Sequence, residues 1–332
     1  MSAIEIHGLS KDYGPILAND DLTFEVEDGE VFGYLGPNGA GKTTTIRTLM
    51  GLQSPTAGTA TIMGHDVRDE GELIAAKRSV GYLPSNPSFD RDATGREILD
   101  LHASIKGDDR RDEILELFDP PLDRTVREFS SGNVQKLGLV QAFMHDPDLL
   151  VMDEPTSGLD PLMQSRFNEF VRAEKRAGKT FFLSSHVLSE VRRVCDRVGI
   201  LRDGRLVTVE RVESLLDRSG KFVRARVVGE LGAEDLDFDG VHDPTVTAIE
   251  AGPELSSVPD DETITEVTFT FTGDINDLLG RFGRERLLDL DLEEAPLEDV
   301  FMRFYGNDSA TTADAGTSGT AFDTATGGDG NA

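Results

Sequence analysis

Three short stretches carry residue types whose spacing can do chemistry. GPNGAGKT at 36–43 fits G-x-x-x-x-G-K-[ST], with the β-rich run EVFGYL before it and the helical run TTTIRTLM after it. In that context Gly36, Asn38, Gly39, Ala40, Gly41, Lys42, Thr43 and Thr44 make a loop whose backbone N–H groups wrap a β-phosphate at a helix N-terminus. Lys42 would bridge the β- and γ-phosphates, and Thr43 would offer its hydroxyl to Mg²⁺. DLLVMDEP at 148–155 is an apolar run ending in two carboxylates, as a buried strand would deliver them to its carboxyl end. Asp153 would hold Mg²⁺, directly or through water, and Glu154 would polarise the water that attacks the γ-phosphate. The third stretch, FSSGNVQKL at 129–137, enters a helix through a polar turn. It has small residues and N–H groups enough to hold an anion, yet no lysine in the turn.

The elements that must position these residues alternate along the first 205 positions. EVFGYLG, RSVGYLP, DLLVMDEP, KTFFLSSH and DRVGILRDG read as strands, separated by helical stretches, which implies an α/β domain with a largely parallel sheet. Between about 88 and 145 the pattern is helical, in TGREILDLHASIKG, RRDEILELFDPP and NVQKLGLVQAFMHD, which suggests a helical insert. After about 215 the texture changes. FVRARVVG, TVTAIEAG and TEVTFTFTG alternate like strands, INDLLGRFG reads as a helix, and RLLDLDLEEA leads to an amphipathic LEDVFMRFY. This predicts a small separate α+β domain over 216–305, then a disordered acidic tail over 306–332 built of Gly, Ala, Ser, Thr and Asp.

Bulk properties exclude several classes. The longest apolar runs fall far short of the roughly 20 residues of a membrane-spanning helix, and the N-terminus lacks the pattern of a secretory signal. The single cysteine, Cys195, excludes an intrachain disulfide or a Cys-based zinc cluster. His7, His65, His102, His145 and His242 show no ligand spacing and read as structural. The formal net charge of −29 argues against nucleic-acid binding and against unaided attachment to anionic lipid. Such a surface suits a cytoplasm of molar salt, where the Debye length falls to about 3 Å and self-repulsion is screened.

Taken in order, GPNGAGKT, FSSGNVQKL, LLVMDEPTSGLD and LSSH resemble the nucleotide-binding subunit of ATP-binding cassette (ABC) transporters, over residues 3 to about 215. The resemblance implies a P-loop NTPase (RecA-like) core with an antiparallel β subdomain, a domain over 1–215, and ATP with Mg²⁺ as its ligands. It implies a second copy, because in this family two cassettes dimerise head to tail and each FSSGN-type turn caps the γ-phosphate held by the other. Ser130 and the N–H groups of Ser131 and Gly132 would then close on the neighbour's ATP, whose own Lys42 is already in place. The family's usual Leu-Ser-Gly-Gly-Gln is here Phe129, Ser130, Ser131, Gly132, Asn133, so Ser131 replaces a glycine. A position needing a glycine backbone angle would be weakened by that change, whereas the hydroxyl could add a phosphate contact.

By the same likeness His186 fits the switch histidine that contacts the γ-phosphate and Glu154. Asp160 ends the SGLD loop through which opposing sites sense one another, and Tyr13 would stack on adenine. Ser85, in GYLPSNP, stands where the family often has glutamine, so a Mg²⁺ contact there would need a bridging water or help from Asn86. That loop and the helices after it would dock a transmembrane permease, placing the chain on the cytoplasmic face of the membrane. The C-terminal extension resembles, more loosely, that of multidrug or daunorubicin-export cassettes serving ABC-2-like permeases. Two other readings stay open. A non-transport ABC ATPase acting on DNA or the ribosome would usually carry two cassettes, a long coiled-coil insert or zinc cysteines, and a regulatory module that binds ATP but hydrolyses it weakly would draw support from Ser131 and Ser85.

Overall fold

The computed structural model describes residues 2–249, 263–282 and 286–294. The chain forms two compact units that part between Arg218 and Ser219. The amphipathic run at 297–305 and the acidic tail at 306–332 lie outside the described residues.

The first unit opens with β1 (Ser2–Asp12) and β2 (Leu17–Glu27), followed by β3 (Val31–Leu35), α1 (Lys42–Leu49), β4 (Ala57–Ile62) and the two-residue β5 (His65–Asp66). Strands β2, β1, β4 and β5, in that order, make an antiparallel four-stranded sheet. Next come α2 (Glu70–Ala76), β6 (Val80–Leu83) and the helical insert of α3 (Gly95–Lys106), α4 (Arg111–Phe118) and α5 (Ser131–Phe143). The chain returns through β7 (Leu149–Asp153), α6 (Pro161–Arg176), β8 (Thr180–Ser185) and α7 (Leu188–Val194). It ends in β9 (Arg197–Arg202), β10 (Arg205–Arg211) and α8 (Val212–Ser219). A six-stranded sheet has the order β10-β9-β3-β8-β7-β6, parallel throughout except for the antiparallel edge strand β10.

Burial on both faces explains why VFGYL of β3, LLVMD of β7 and TFFLSS of β8 are buried along their whole length rather than alternating. On one face, side chains of both sheets share a core with Phe24, Phe32, Tyr34 and Phe182 at its centre. Their ring centroids lie 5.2 to 6.1 Å apart, pairs worth about 0.5–1.5 kcal/mol each beyond their buried area. On the other face α7 lies so close to β3 that a Cβ on Gly33 would fall 2.7 Å from Val191. In the insert, Thr94 and Glu97 form a reciprocal capping box that fixes the start of α3.

The second unit holds β11 (Lys221–Val228), β12 (Val241–Ile249), β13 (Ile264–Phe271), α9 (Ile275–Phe282) and β14 (Arg286–Glu294). The sheet order is β12-β13-β11-β14, all antiparallel. This is the split β-α-β arrangement with its first helix reduced to one 3₁₀ turn, Ala233–Leu236. Val223, Ala225, Val227, Phe269, Leu278 and Phe282 pack in its own small core.

Candidate active site

In the loop between β3 and α1, Gly36 and Gly41 sit in contacts that leave no room for a side chain. Gly39 and Gly41 have φ of 85° and 107°, the left-handed region that favours glycine. A Cβ on Gly41 would collide with the Ala18 carbonyl, and one on Gly36 with the Leu201 carbonyl. Lys42, 6% exposed, opens α1 and folds back over the loop, donating to the carbonyls of Gly36 (2.6 Å) and Pro37 (3.2 Å). Burial lowers its pKa from the usual lysine range, and the nearby carboxylates of Glu154 and Asp153 oppose that shift.

The buried strand β7 delivers both carboxylates. Asp153, 1% exposed, accepts from the Thr43 hydroxyl at 2.7 Å with one oxygen and from the Ser184 hydroxyl with the other. Glu154 lies just past the strand with φ 54°, sparsely populated for a non-glycine residue and typical of a functional turn. Its backbone N–H donates to Ser184 of β8, which holds the turn against the sheet. One carboxylate oxygen sits 3.7 Å from Lys42 Nζ and the other 2.7 Å from His186 Nδ1. Residues far apart in the chain therefore meet as Lys42–Glu154–His186. Thr43 and Asp153 offer oxygen donors, a hydroxyl and a buried carboxylate that accepts from two hydroxyls, which suits a hard divalent cation such as Mg²⁺.

A cleft of roughly 640 Å³ opens above the loop. Asn38 to Thr44, Ser85, Asn86, Glu154, Ser157 and His186 line it. Gly36 and Asp153 lie behind this lining and support it. Sequence reasoning missed one wall, made of Ile16, Leu17 and Ala18 at the start of β2 and of Asp203 and Gly204. Asp203-Gly204 is the turn of the β9–β10 hairpin, and Gly204 N–H donates to the Ala40 carbonyl at 3.1 Å. The Asp-Gly pair between two apolar runs was the available signal for that hairpin. Tyr13 stands outside the lining. It is half exposed, with its hydroxyl donating to Gln53 at 2.5 Å and Lys11 Nζ 5.1 Å from its ring centre.

The polar turn is a second cluster, also outside the cleft lining. Ser130 caps α5, its hydroxyl oxygen accepting from Asn133 N–H at 3.2 Å. Ser131 opens that helix with a negative φ, so the glycine-only angle considered for this position is not required. Gly132 is constrained instead, because a Cβ there would lie 2.7 Å from the Gly158 carbonyl of the SGLD loop. Asp160 caps α6, accepting from Met163 N–H at 2.9 Å. Gln135 of α5 donates to the Pro155 carbonyl at 2.8 Å, a link from the insert to the turn after β7 that the sequence did not reveal. Among the other histidines, His102 and His145 come together, ring centroids 5.5 Å apart.

Comparison with known proteins identifies the family of the chain. Residues 19–157 match the family model described as ABC transporter. The chain is 34% identical over 316 residues to a Nod factor export ATP-binding protein I of Mesorhizobium japonicum, covering 92% of this chain and 87% of that protein. It is 37% identical over 227 residues to the bacitracin transport ATP-binding protein BcrA of Bacillus licheniformis, covering 66% and 73%. A solved ATP-binding subunit of an ABC transporter superposes with a TM-score of 0.58 and 32% identity, covering 64% of this chain and 92% of that one. With a relative of this identity matched over most of its length, the chain belongs to the ATP-binding subunits of ABC transporters.

Proposed function

We propose that this protein is the ATP-hydrolysing motor of an exporter, working as a head-to-tail pair of copies on a separate transmembrane permease. The observation that carries the reading is Glu154 lying between Lys42 and His186 at the mouth of a glycine-walled phosphate loop. The loop N–H groups and Lys42 hold the β- and γ-phosphates; Thr43 and Asp153 would hold Mg²⁺, which would supply neutralisation of phosphate charge. Ser85, with Asn86, faces the same cleft and would contact that ion through a bridging water. Glu154 orients and accepts a proton from the attacking water, while His186 fixes the Glu154 carboxylate and contacts the γ-phosphate. Lys42 moves from the carbonyls of Gly36 and Pro37 to the phosphate as the nucleotide enters. The adenine end lies toward Ile16 and Leu17, exposed apolar residues beside the loop, with Tyr13 at their flank.

The partner assignments rest on exposed features. Ser130, Ser131 and Gly132 sit at the N-terminus of the 13-residue α5, clear of their own cleft, as a turn serving a neighbour's γ-phosphate must be. Leu101 and Ile105 on α3 are 63% and 74% exposed and one helical turn apart, an apolar face that suits a permease segment. The relatives' names place them in Nod factor export and bacitracin transport, which supports an exporter role here without fixing the cargo. The daunorubicin-type kinship and a molar-salt cytoplasm belong to the same proposal, the latter resting on the charge of −29.

Tagged full-length chain, solubilised from membranes in molar salt, tests the reading. It predicts a stoichiometric polytopic membrane protein, lost in a Leu101→Glu/Ile105→Glu variant whose own ATP turnover stays normal. Recovery of ribosomal or DNA-repair proteins in its place would overturn the transport role.

A further inference from the structure

His186 is half exposed and sits on the two-residue link between β8 and α7, with Val187 after it. What fixes that turn is a neighbour that never enters the cleft. Ser185, 3% exposed, accepts from Val187 N–H at 2.9 Å, holding the turn from inside. Its own hydroxyl proton goes to Glu190 Oε2 of α7 at 2.7 Å, closer than the 3.2 Å to the Val187 carbonyl. The other Glu190 oxygen accepts from the hydroxyl of Thr156, 4% exposed, at 2.5 Å. Thr156 lies two residues after Glu154, in a tight turn where Ser157 N–H donates back to the Glu154 carbonyl at 3.1 Å.

These contacts close a ring that runs from Glu154 through Thr156, Glu190, Ser185 and His186 back to Glu154. We propose that Glu190 is a positioning residue for ATP hydrolysis, a carboxylate brace that sets His186 against Glu154 by gripping both catalytic turns at once. Hydrogen bonds to an ionised acceptor are about twice as strong as neutral ones, which suits a brace. The ring also gives the SGLD loop a route to the histidine. Thr156 heads that loop, and Leu159 N–H donates to the Thr156 carbonyl at 3.2 Å, so a displacement of the loop pulls on Glu190 and hence on Ser185. The inference rests on the roles given above to Glu154 and His186.

The test uses the full chain, with steady-state phosphate release and ATP affinity measured on the same preparations. Glu190→Ala is expected to lower kcat on the order of tenfold or more, the scale of a small misplacement of a reacting group, while ATP affinity stays within about twofold. Glu190→Gln, whose amide can accept one hydroxyl and donate to the other, is expected to restore most of the rate. Thr156→Val cuts one arm of the brace and is expected to fall between them, which keeps the question answerable should Glu190→Ala fold poorly. In a His186→Ala background, Glu190→Ala is expected to add nothing, since a brace acts through what it holds.

Turnover within twofold of wild type in both Glu190→Ala and Thr156→Val would overturn the proposal, as would a full, additive loss in the His186→Ala background. A rate loss matched by an equal loss of ATP affinity would mark Glu190 as merely structural. Undiminished turnover by His186→Ala alone would sink the role given to that histidine and remove the purpose of the brace. That outcome is read from a different variant than a failure of Glu190.

Discussion

In the proposed mechanism the chemistry turns on Glu154, whose two carboxylate oxygens lie beside Lys42 and His186. Replacing it by Gln keeps size and hydrogen bonding but removes the base, so turnover should fall by about 10²–10⁴ while ATP still binds; a phosphate-release assay beside an ATP titration checks this. Gly41→Ala should act the other way, weakening ATP binding itself, because it forces a side chain into a left-handed φ of 107° against the Ala18 carbonyl. Strain of that kind is worth about 1–3 kcal/mol, visible as a matching rise in Kd. The phosphate loop and the carboxylate pair were legible in the sequence because each is a contiguous string whose spacing is set by local geometry. Ile16, Leu17 and Asp203 were not, since they reach the cleft only through the ends of other strands. Ser131 shows the opposite limit: its angle could be known only once α5 was seen to begin there.

At the scale of elements, strands and helices were readable where burial is extreme or periodic. The wholly buried β3 and β7 announce themselves as almost unbroken apolar runs, and α3 and α4 by their helical spacing. Pairing order was not readable, because β8 slots between β3 and β7 through contacts far apart in sequence. The same packing seats His145 against β6, with His102 beside it. Gln141 donates to His102 Nδ1, and His145 Nε2 donates to the Val80 carbonyl, leaving His102 Nε2 and His145 Nδ1 buried without a partner. Burial, aided by the Lys106 ammonium, pushes both imidazoles down to about 4. Unfolded, they take up protons near pH 6.5, so the unfolded state binds more protons as pH falls between about 6.5 and 4. Stability should therefore decline across that window and level off below it. A His145→Gln variant should lose less over the same window; denaturant unfolding at several pH values would reveal equal slopes if the assignment is wrong.

At the scale of the whole molecule, the chain divides its work. Among the described residues, those lining the cleft lie between Ile16 and Gly204, inside the first unit. A chain ending at Arg218 should fold and bind ATP as tightly as the full protein, and a loss of binding would show that the second unit contributes to the site. The charge of −29 predicts a further dependence. Raising KCl from about 0.1 M to about 2 M shortens the Debye length from about 10 Å to under 3 Å, so the melting temperature should rise steeply with salt. The central claim is that ATP is held between two copies, each turn at Ser130–Gly132 closing on the other's phosphate. Sedimentation of full-length Glu154→Gln in molar salt, with and without ATP and Mg²⁺, tests it most directly. The account predicts a monomer that becomes a dimer when ATP is added; a protein that binds ATP with Mg²⁺ yet remains monomeric would contradict it.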